Sequence, residues 1–138
     1  WKRLFDDVLK ARAQRRGAPF EPFDAESDYR AYVDGKPRYD GVKSFLDARG
    51  IELPWGRAED GPERETICGL GNRKNEYFLN WLREHKVATF PDALAFVAAL
   101  RHAGKAVAVF SSSRNACAVL ENAGVLGLFD ARVDGADL

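Results

Sequence analysis

Three consecutive hydroxyl side chains form the sharpest candidate for chemistry in this sequence. Ser111–Ser113 follow the apolar run Ala106–Phe110, and Arg114 and Asn115 come directly after them. Such a run predicts a strand buried on both faces, and a helix starting after the serines would present unpaired backbone N–H groups to an anion. Ser113 is predicted to cap that helix. The residues alone leave two interpretations open: a phosphate-binding cradle, or a turn that only caps a helix.

Two further segments carry clustered basic side chains. Residues 35–41 begin and end with glycine and present Lys36 and Arg38, and the planar guanidinium of arginine suits bidentate binding of phosphate. Residues 72–75 place Arg73 and Lys74 at a predicted helix start, where each cation is unfavourable by about 0.3–1 kcal/mol. Taken alone, each segment is better explained as solvated surface.

The overall composition excludes several classes of function. The 138 residues include 21 basic and 21 acidic side chains, so no net field draws the chain to nucleic acid or to an anionic membrane. Cys68 and Cys117 have neither a disulfide pattern nor a metal-binding spacing. The longest apolar run is far too short to cross a bilayer. We therefore expect a cytoplasmic protein with no nucleic-acid partner and no membrane partner.

Hydrophobic periodicity and breaker residues predict a mostly helical chain. The first helix should run to about Arg16 and end at Gly17, and the segment Gly69–Asn72 should interrupt the helical pattern. Pro62 is predicted to occupy the first turn of a helix. The predicted helices cover about 1–16, 28–33, a stretch around 42–46 closed by Gly50, 63–68, 74–85, a stretch around 94–100 closed by Gly104, and 114–123; the predicted strands cover 106–110 and 129–133.

The order of these elements predicts an α/β protein with an added helical part. Helix, strand, turn, helix and strand follow one another from residue 89 to residue 138, as in a piece of a doubly wound parallel sheet. Residues 17–88 are predicted to be all-helical. Residues 1–16 form a first helix that can be grouped with the α/β part.

With these segments in order, the chain resembles the haloacid dehalogenase superfamily, in particular its β-phosphoglucomutase-like branch. Residues 106–115 resemble the second motif of the superfamily, a hydrophobic strand that ends in Ser or Thr, and residues 91–104 resemble the helix before it. Residues 32–42 and 73–75 resemble parts of the helical cap, and residues 1–4 resemble the helix that follows the nucleophile loop. The resemblance implies a partial Rossmann-like core at 89–138, an inserted cap domain at 17–88, and a hinge at 1–16.

The resemblance also implies a mechanism and a role for the serine-rich turn. In this superfamily an aspartate forms a covalent aspartyl phosphate, a second aspartate is the general acid and base, and Mg²⁺ neutralises the phosphoryl oxygens. Ser111 would then hydrogen-bond the transferring phosphoryl group. Ser113, Arg114 and Asn115 would contact the phosphate of the substrate.

The same resemblance implies three ligand contacts outside that turn. Arg38 would bind the distal phosphate of a sugar phosphate when the cap closes, and Lys74 would reach the sugar or its phosphate from the cap. Trp1 would line the cleft near the hinge. Closure of the cap would exclude water and determine whether water or a sugar hydroxyl accepts the phosphoryl group.

The sequence departs from the superfamily pattern at its two ends. No DxDxT motif precedes Trp1, no methionine occupies position 1, and the chain stops before the lysine of the third motif and the acidic pair of the fourth. We therefore expect a truncated chain that does not catalyse by itself, with most Mg²⁺ ligands in the rest of a parent enzyme.

Several activities fit the resemblance. We narrowly prefer Mg²⁺-dependent hydrolysis of a sugar phosphate, and a sugar phosphomutase of the β-phosphoglucomutase type is the alternative. The resemblance extends to relatives fused to trehalose or disaccharide enzymes, so fusion to further carbohydrate-metabolism domains is a further expectation, and so is a degenerate, non-catalytic domain within such an enzyme. An independent helical interaction domain would leave the buried strand and the serine-rich turn unexplained.

Overall fold

The computed structural model describes residues 1–137, which fold as two compact units. Unit 1 spans Trp1–Phe78 and unit 2 begins at Leu79, within the fourth helix. The helices and strands, numbered along the chain, are α1 (Lys2–Arg16), α2 (Ser27–Tyr32), α3 (Arg38–Ala48), α4 (Ile67–Glu84), α5 (Pro91–His102), β1 (Ala108–Phe110), α6 (Ala116–Ala123), a 3₁₀ turn (Leu126–Leu128) and β2 (Ala131–Val133).

An aromatic cluster forms the centre of unit 1. The ring centroid of Phe5 on α1 lies 4.2 Å from that of Phe45 on α3 and 5.0 Å from that of Phe23. All three side chains are buried, as are the neighbouring Leu4 and Leu46. The apolar residues of α1 and α3 recur at helical spacing, so each of these two helices turns one face to the core, and Phe23 joins the cluster from the chain between α1 and α2. As predicted, α1 ends at Arg16 and Gly17 adopts the left-handed conformation with φ 61°.

The predicted interruption of the helix near Gly69 and Gly71 is wrong. Both glycines lie inside α4, which runs without a break from Ile67 to Glu84. A Cβ added at Gly71 would lie 2.6 Å from Cδ1 of Tyr39 on α3, and one added at Gly69 would lie 2.5 Å from the carbonyl oxygen of Arg64. The glycines therefore allow close packing against α4, and the tertiary contacts outweigh their weak helix propensity.

The predicted helix at 63–68 is also wrong, because most of that segment belongs to a loop that precedes α4. The carboxylate of Asp60 accepts hydrogen bonds from the Arg57 N–H (3.0 Å) and the Thr66 hydroxyl (2.7 Å). The Asn72 amide donates to the carbonyl oxygens of Ala58 (2.9 Å) and Asp60 (2.8 Å). Side chains thus satisfy the backbone groups of this loop without helix formation, and Pro62 is not a first-turn proline.

Unit 2 contains a parallel pair of short strands connected through α6. Ala108 pairs with Ala131 and Phe110 with Val133. Asp130 and Val107, the residues directly before β2 and β1, are joined by two hydrogen bonds. The Asp130 carboxylate accepts from the Val107 N–H (2.7 Å), and the Asp130 N–H donates to the Val107 carbonyl (2.7 Å). The Val107 N–H, followed by the guanidinium of Arg101, which also donates to this carboxylate, keeps the pKa of the Asp130 carboxyl below its ordinary value.

The prediction of a strand buried on both faces is wrong for the part of the chain that the structure describes. Phe110 is 81% exposed and Val133 48% exposed, and both strands are shorter than predicted. A continuous apolar run indicates burial only where packed layers cover both faces of a sheet. Within residues 1–137 the sheet has two strands, and these two side chains remain uncovered.

The coarse fold class agrees with the prediction: the chain is α/β, mostly helical with a small parallel sheet. Helix α5 also lies where it was predicted, and Gly104, the residue predicted to close it, adopts the left-handed conformation. That residues 17–88 act as a cap remains a prediction. Among residues 1–137 no helix combines the length and the apolar character that a membrane-spanning segment needs.

Replacing Gly71 by alanine tests the close approach of α3 to α4. A glycine-to-alanine change inside a helix ordinarily stabilises by about 0.5–1 kcal/mol. Here the added methyl group would collide with the Tyr39 ring, so we expect Gly71→Ala to lower the free energy of unfolding by about 1–3 kcal/mol in urea denaturation. Gly127→Ala is the control, because a Cβ there meets nothing within 4 Å. A Gly71→Ala protein at least as stable as the parent would contradict this account of the packing.

Candidate functional site

The start of α3 is attached to α4 by two asparagine side chains. Arg38, the first residue of α3, donates through Nη2 to Oδ1 of Asn75 at 2.9 Å. The adjacent Tyr39 donates its hydroxyl to Oδ1 of Asn72 at 2.9 Å. Arg38 therefore lies at a helix start and not in the predicted glycine-bounded loop, and its guanidinium is fixed on α4 beside Lys74.

Lys36 takes a different direction from Arg38. Its ammonium donates to the hydroxyl of Ser44, which lies within α3, at 2.6 Å. The structure thus separates the two cations that the sequence pattern had grouped, and only Arg38 reaches α4.

The ammonium group of Lys74 is partly buried among aromatic rings. Its Nζ lies 5.0 Å from the centroid of the Trp1 ring and 4.6 Å from that of Phe78. Within residues 1–137, Lys74 forms no hydrogen bond and no ion pair with a carboxylate. Burial, followed by repulsion from the Arg38 guanidinium, lowers the pKa of Lys74 from its ordinary value of 10.5 to about 8.

Trp1 connects this cation to the core of unit 1. Its indole stacks on Phe5 with ring centroids 5.5 Å apart, and a Cβ added at Gly41 would lie 3.5 Å from its Cη2 atom. The aromatic face under Lys74 is therefore held by α1 and α3 together. The structure thus brings Trp1, Arg38 and Lys74 into one basic site in unit 1, which we call the Arg38–Lys74 site.

An anion would complete the Arg38–Lys74 site. Two cations repel each other across a partly desolvated space, and a phosphate dianion between them would relieve both the repulsion and the cost of burial. Asn75 holds the guanidinium in a fixed orientation before any ligand arrives, which reduces the entropy lost on binding. This geometry suits recognition of a phosphate group.

The serine-rich turn in unit 2 is organised by its own hydroxyl groups. Ser111 directly follows β1, and its N–H donates to the carbonyl of Val133 at 3.0 Å. The Ser111 hydroxyl oxygen accepts from the Ser113 N–H (3.1 Å), and the Ser113 hydroxyl oxygen accepts from the Asn115 N–H (3.2 Å). Two successive hydroxyl-to-backbone turns therefore fix the chain at the carboxyl end of the strand.

The prediction that Ser113 caps the following helix is wrong. Helix α6 begins at Ala116, two residues later than predicted, and its N-cap is Asn115, whose side chain makes no capping hydrogen bond. Ser113 instead folds the turn before the helix. The Arg114 side chain is exposed. Ser111, Ser113, Arg114 and Asn115 are thus neighbours within unit 2, as their sequence positions require.

Two residues that the sequence analysis missed complete this turn. Gly135 follows β2, and a Cβ there would collide with the Ser112 carbonyl oxygen and lie 2.9 Å from the Arg114 nitrogen. Asp134, which is 1% exposed, accepts from Nε of Arg132 (2.8 Å) and from the Ala136 N–H (2.8 Å). The Asp-Gly pair directly after a strand is the signal that could have found them.

No metal site emerges from the part of the chain that the structure describes. Among residues 1–137, no group of three or more His, Cys, Asp or Glu side chains could hold a metal ion. The residues present therefore do not form a Mg²⁺ site, and the Mg²⁺ requirement implied by the resemblance remains a prediction.

Comparison with known proteins gives specific relatives but no family model: a search of family models finds no match. All 138 residues align at 46% identity with a β-phosphoglucomutase of Mycobacterium bovis and with one of Mycobacterium tuberculosis. At 38% identity, 136 residues align with an uncharacterized glycosyl hydrolase of M. tuberculosis. The chain covers 53% of the first two proteins and 10% of the third. It therefore spans about half the length of the β-phosphoglucomutases that it matches.

Replacing Lys74 by methionine tests whether the charge of Lys74 lowers the free energy of unfolding. One pKa unit corresponds to about 1.4 kcal/mol, and partial exposure reduces the effect. We therefore expect Lys74→Met to raise the free energy of unfolding at pH 7 by about 1–3 kcal/mol. The control, Lys43→Met, removes an exposed ion pair with Asp47 and should change stability by less than about 1 kcal/mol.

The gain in stability from Lys74→Met should depend on pH. Because the folded pKa of about 8 lies below the ordinary value of 10.5, the unfolded chain binds more protons between these values, and the contribution of Lys74 to stability improves as pH rises through this window. The penalty is complete below the folded pKa. Urea denaturation should therefore show a larger gain from Lys74→Met at pH 7 than at about pH 9.5. An equal gain at both pH values would contradict the lowered pKa.

Proposed function

We propose, from the relationship of this chain to the β-phosphoglucomutase-like branch of the haloacid dehalogenase superfamily, that it is the phosphate-recognising part of an enzyme that acts on a sugar phosphate. The resemblance of its motifs and the 46% identity along its whole length point to the same branch. The proposed activity on a sugar phosphate belongs to the whole protein, to which this chain contributes phosphate-binding residues.

The observation that carries this proposal is the Arg38–Lys74 site. A partly buried ammonium next to a guanidinium is unfavourable in the absence of an anion, and the shift in the pKa of Lys74 to about 8 reflects that cost. Charge-assisted hydrogen bonds from such groups to phosphate contribute about 1.5–3 kcal/mol each. A ligand phosphate would therefore offset the free-energy cost of placing these two cations side by side.

Arg38 would be the orienting group of this site. Its Nη2 is occupied by Asn75, and this bond sets the plane of the guanidinium, which binds phosphate through paired N–H groups. Lys74 would supply a point charge over the aromatic face of Trp1 and Phe78. These apolar walls exclude water and strengthen the electrostatic attraction to the bound phosphate.

The serine-rich turn would supply a second set of phosphate contacts. Ser111 lies at the carboxyl end of β1, where ligands of open α/β sheets bind. The oxygens of Ser111 and Ser113 accept backbone N–H groups. Within residues 1–137 neither hydroxyl donates a hydrogen bond, so each O–H could donate to a phosphoryl oxygen. Arg114 would add a cation and Asn115 an amide.

The chemistry supported by these residues is recognition and charge stabilisation of a phosphoryl group in transfer. Fixed donors aimed at developing negative charge stabilise the transition state without reorganising during the reaction. The covalent aspartyl phosphate and the Mg²⁺ requirement come from the superfamily resemblance, and no step is assigned to them on this chain. Mg²⁺, when bound, would neutralise phosphoryl oxygens.

Transfer between two hydroxyls of a sugar is the activity that we favour over hydrolysis. The sequence motifs alone narrowly favour hydrolysis, but the two relatives at 46% identity are named β-phosphoglucomutases. The physical difference lies in the acceptor, a sugar hydroxyl or water, and exclusion of water favours the former.

Product analysis of the intact enzyme distinguishes the two activities. With β-glucose 1-phosphate and Mg²⁺, ³¹P NMR should show glucose 6-phosphate as the main product. Glucose with inorganic phosphate would instead establish a phosphatase. Absence of turnover for a panel of sugar phosphates would contradict the proposed function.

Substitution of Arg38 tests the residue that the proposal places on the phosphate. Arg38→Lys keeps the charge but removes the planar pair of donors, so kcat/KM for the sugar phosphate should fall by about 10- to 100-fold. Arg30→Lys on α2 is the matched control, because Arg30 forms only an exposed ion pair with Glu26. If both variants keep the parent kcat/KM, Arg38 does not bind the substrate phosphate.

A further inference from the structure

A cavity of about 300 Å³ in unit 1 lies apart from the Arg38–Lys74 site. Neither Arg38 nor Lys74 lines it. Its walls come from α1, from the chain that follows α3, and from the first half of α4. The apolar side chains that line it, which we call its floor, are Val8, Ala11, Ile51, Leu53 and Leu70, of which Ile51 and Leu70 are buried. We call this space the α1–α4 cavity.

The rim of the α1–α4 cavity carries an excess of positive charge. Four guanidiniums line it together with two carboxylates: Arg12, Arg15, Arg16, Arg73, Asp7 and Glu65. A second, smaller cavity of about 170 Å³ also contacts Arg12, Arg16 and Ile51. Positive charge and apolar side chains around one cavity are the chemistry that binds an anion with a hydrophobic body.

Two of the arginines are oriented by backbone carbonyl groups. Arg12 donates through Nη2 to the Gly50 carbonyl at 3.2 Å, and Arg73 donates through Nε to the Pro62 carbonyl at 2.6 Å. Each of these two guanidiniums donates one N–H to a carbonyl, and its remaining N–H groups have no acceptor within residues 1–137. These guanidiniums are therefore held in place without being neutralised.

The other two arginines are held weakly or not at all. Arg15 lies 3.3 Å from the Glu65 carboxylate, but both side chains are more than 60% exposed, so this ion pair is weak. Arg16 makes no hydrogen bond or ion pair in the part of the chain that the structure describes. The carboxylate of Glu65 thus leaves most of the donors of the rim available.

The helix dipole explains only part of this arrangement. Cations are favoured in the last turn of a helix, which accounts for Arg15 and Arg16 at the end of α1. It does not account for Arg73, which lies in the first half of α4. Nor does it account for an apolar cavity between these arginines.

We propose that the α1–α4 cavity is a second ligand site, which binds a small organic anion with its phosphate or carboxylate group among the arginines and its apolar body on the floor. The volume lies at the lower end of the range of small-molecule sites, which begins at about 300 Å³, and suits one ring or a short carbon chain. A bare inorganic ion would leave the floor unused.

Isothermal titration calorimetry on the Lys74→Met variant tests this proposal, because that change weakens the Arg38–Lys74 site. The probes are phenylphosphonate, which resists hydrolysis, benzoate and inorganic phosphate. We expect saturable binding of phenylphosphonate or benzoate, with inorganic phosphate at least about tenfold weaker because it buries no apolar surface. Tighter binding of phenylphosphonate would identify a phosphate ester as the natural class, and tighter binding of benzoate a carboxylate.

A charge reversal at Arg16 locates the binding. Arg16→Glu in the same background should weaken binding of the organic anion by at least about tenfold. The Arg16 side chain is exposed and makes no hydrogen bond or ion pair within residues 1–137. The variant should therefore fold, with a loss of about 0.3–1 kcal/mol from an acidic group at the end of α1. Arg30→Glu on α2 carries the same change in net charge away from the cavity and should leave the affinity unchanged. The proposal fails if neither organic anion binds, if inorganic phosphate binds equally well, or if the Arg16 and Arg30 variants behave alike.

Discussion

The close approach of α3 to α4 at Gly71 is the constraint on which the organisation of unit 1 depends. The Tyr39 ring occupies the space that a side chain at position 71 would fill, and Asn72 and Asn75 then reach Tyr39 and Arg38. A helix surface without a side chain allows this approach, and the two hydrogen bonds give it direction. Arg38 can lie beside Lys74 only because the two helices meet at this distance.

Unit 1 shows two ways of holding positive charge. Lys74 is placed over aromatic rings beside another cation, and its lowered pKa records an unfavourable environment. Arg12 and Arg73 are instead fixed by carbonyl groups and keep most of their donors in reach of solvent. The first arrangement lowers stability, and the proposed role in phosphate recognition would explain that cost. The second arrangement orients Arg12 and Arg73 with little loss of stability.

The serine-rich turn of unit 2 is organised by its own hydroxyl groups. The oxygens of Ser111 and Ser113 fix the backbone by accepting N–H groups, and within residues 1–137 neither hydroxyl donates a hydrogen bond. The loop after β2 comes close because residue 135 is glycine, and the buried Asp134 holds that loop through Arg132 and Ala136. Two strand ends thus converge on one turn, as in other parallel sheets whose ligands bind at this edge.

Sequence alone determined the features that depend on neighbours along the chain. The end of α1 at Gly17, the position of α5 and the serine-rich end of β1 follow from helical periodicity, left-handed glycine and strand composition. The motifs also sufficed to indicate the relationship to β-phosphoglucomutases. Each of these signals is local, because backbone conformation responds mainly to residues within a few positions.

Only the tertiary structure decided what Gly69 and Gly71 do, what surrounds Lys74, and how Gly135 admits a second loop. The same dipeptide pattern that breaks a helix in isolation permits close packing when another helix lies opposite. The apolar run of β1 likewise predicts burial, yet Phe110 is exposed within the described residues. Close approach and desolvation depend on atoms that are distant in sequence, so no local pattern specifies them.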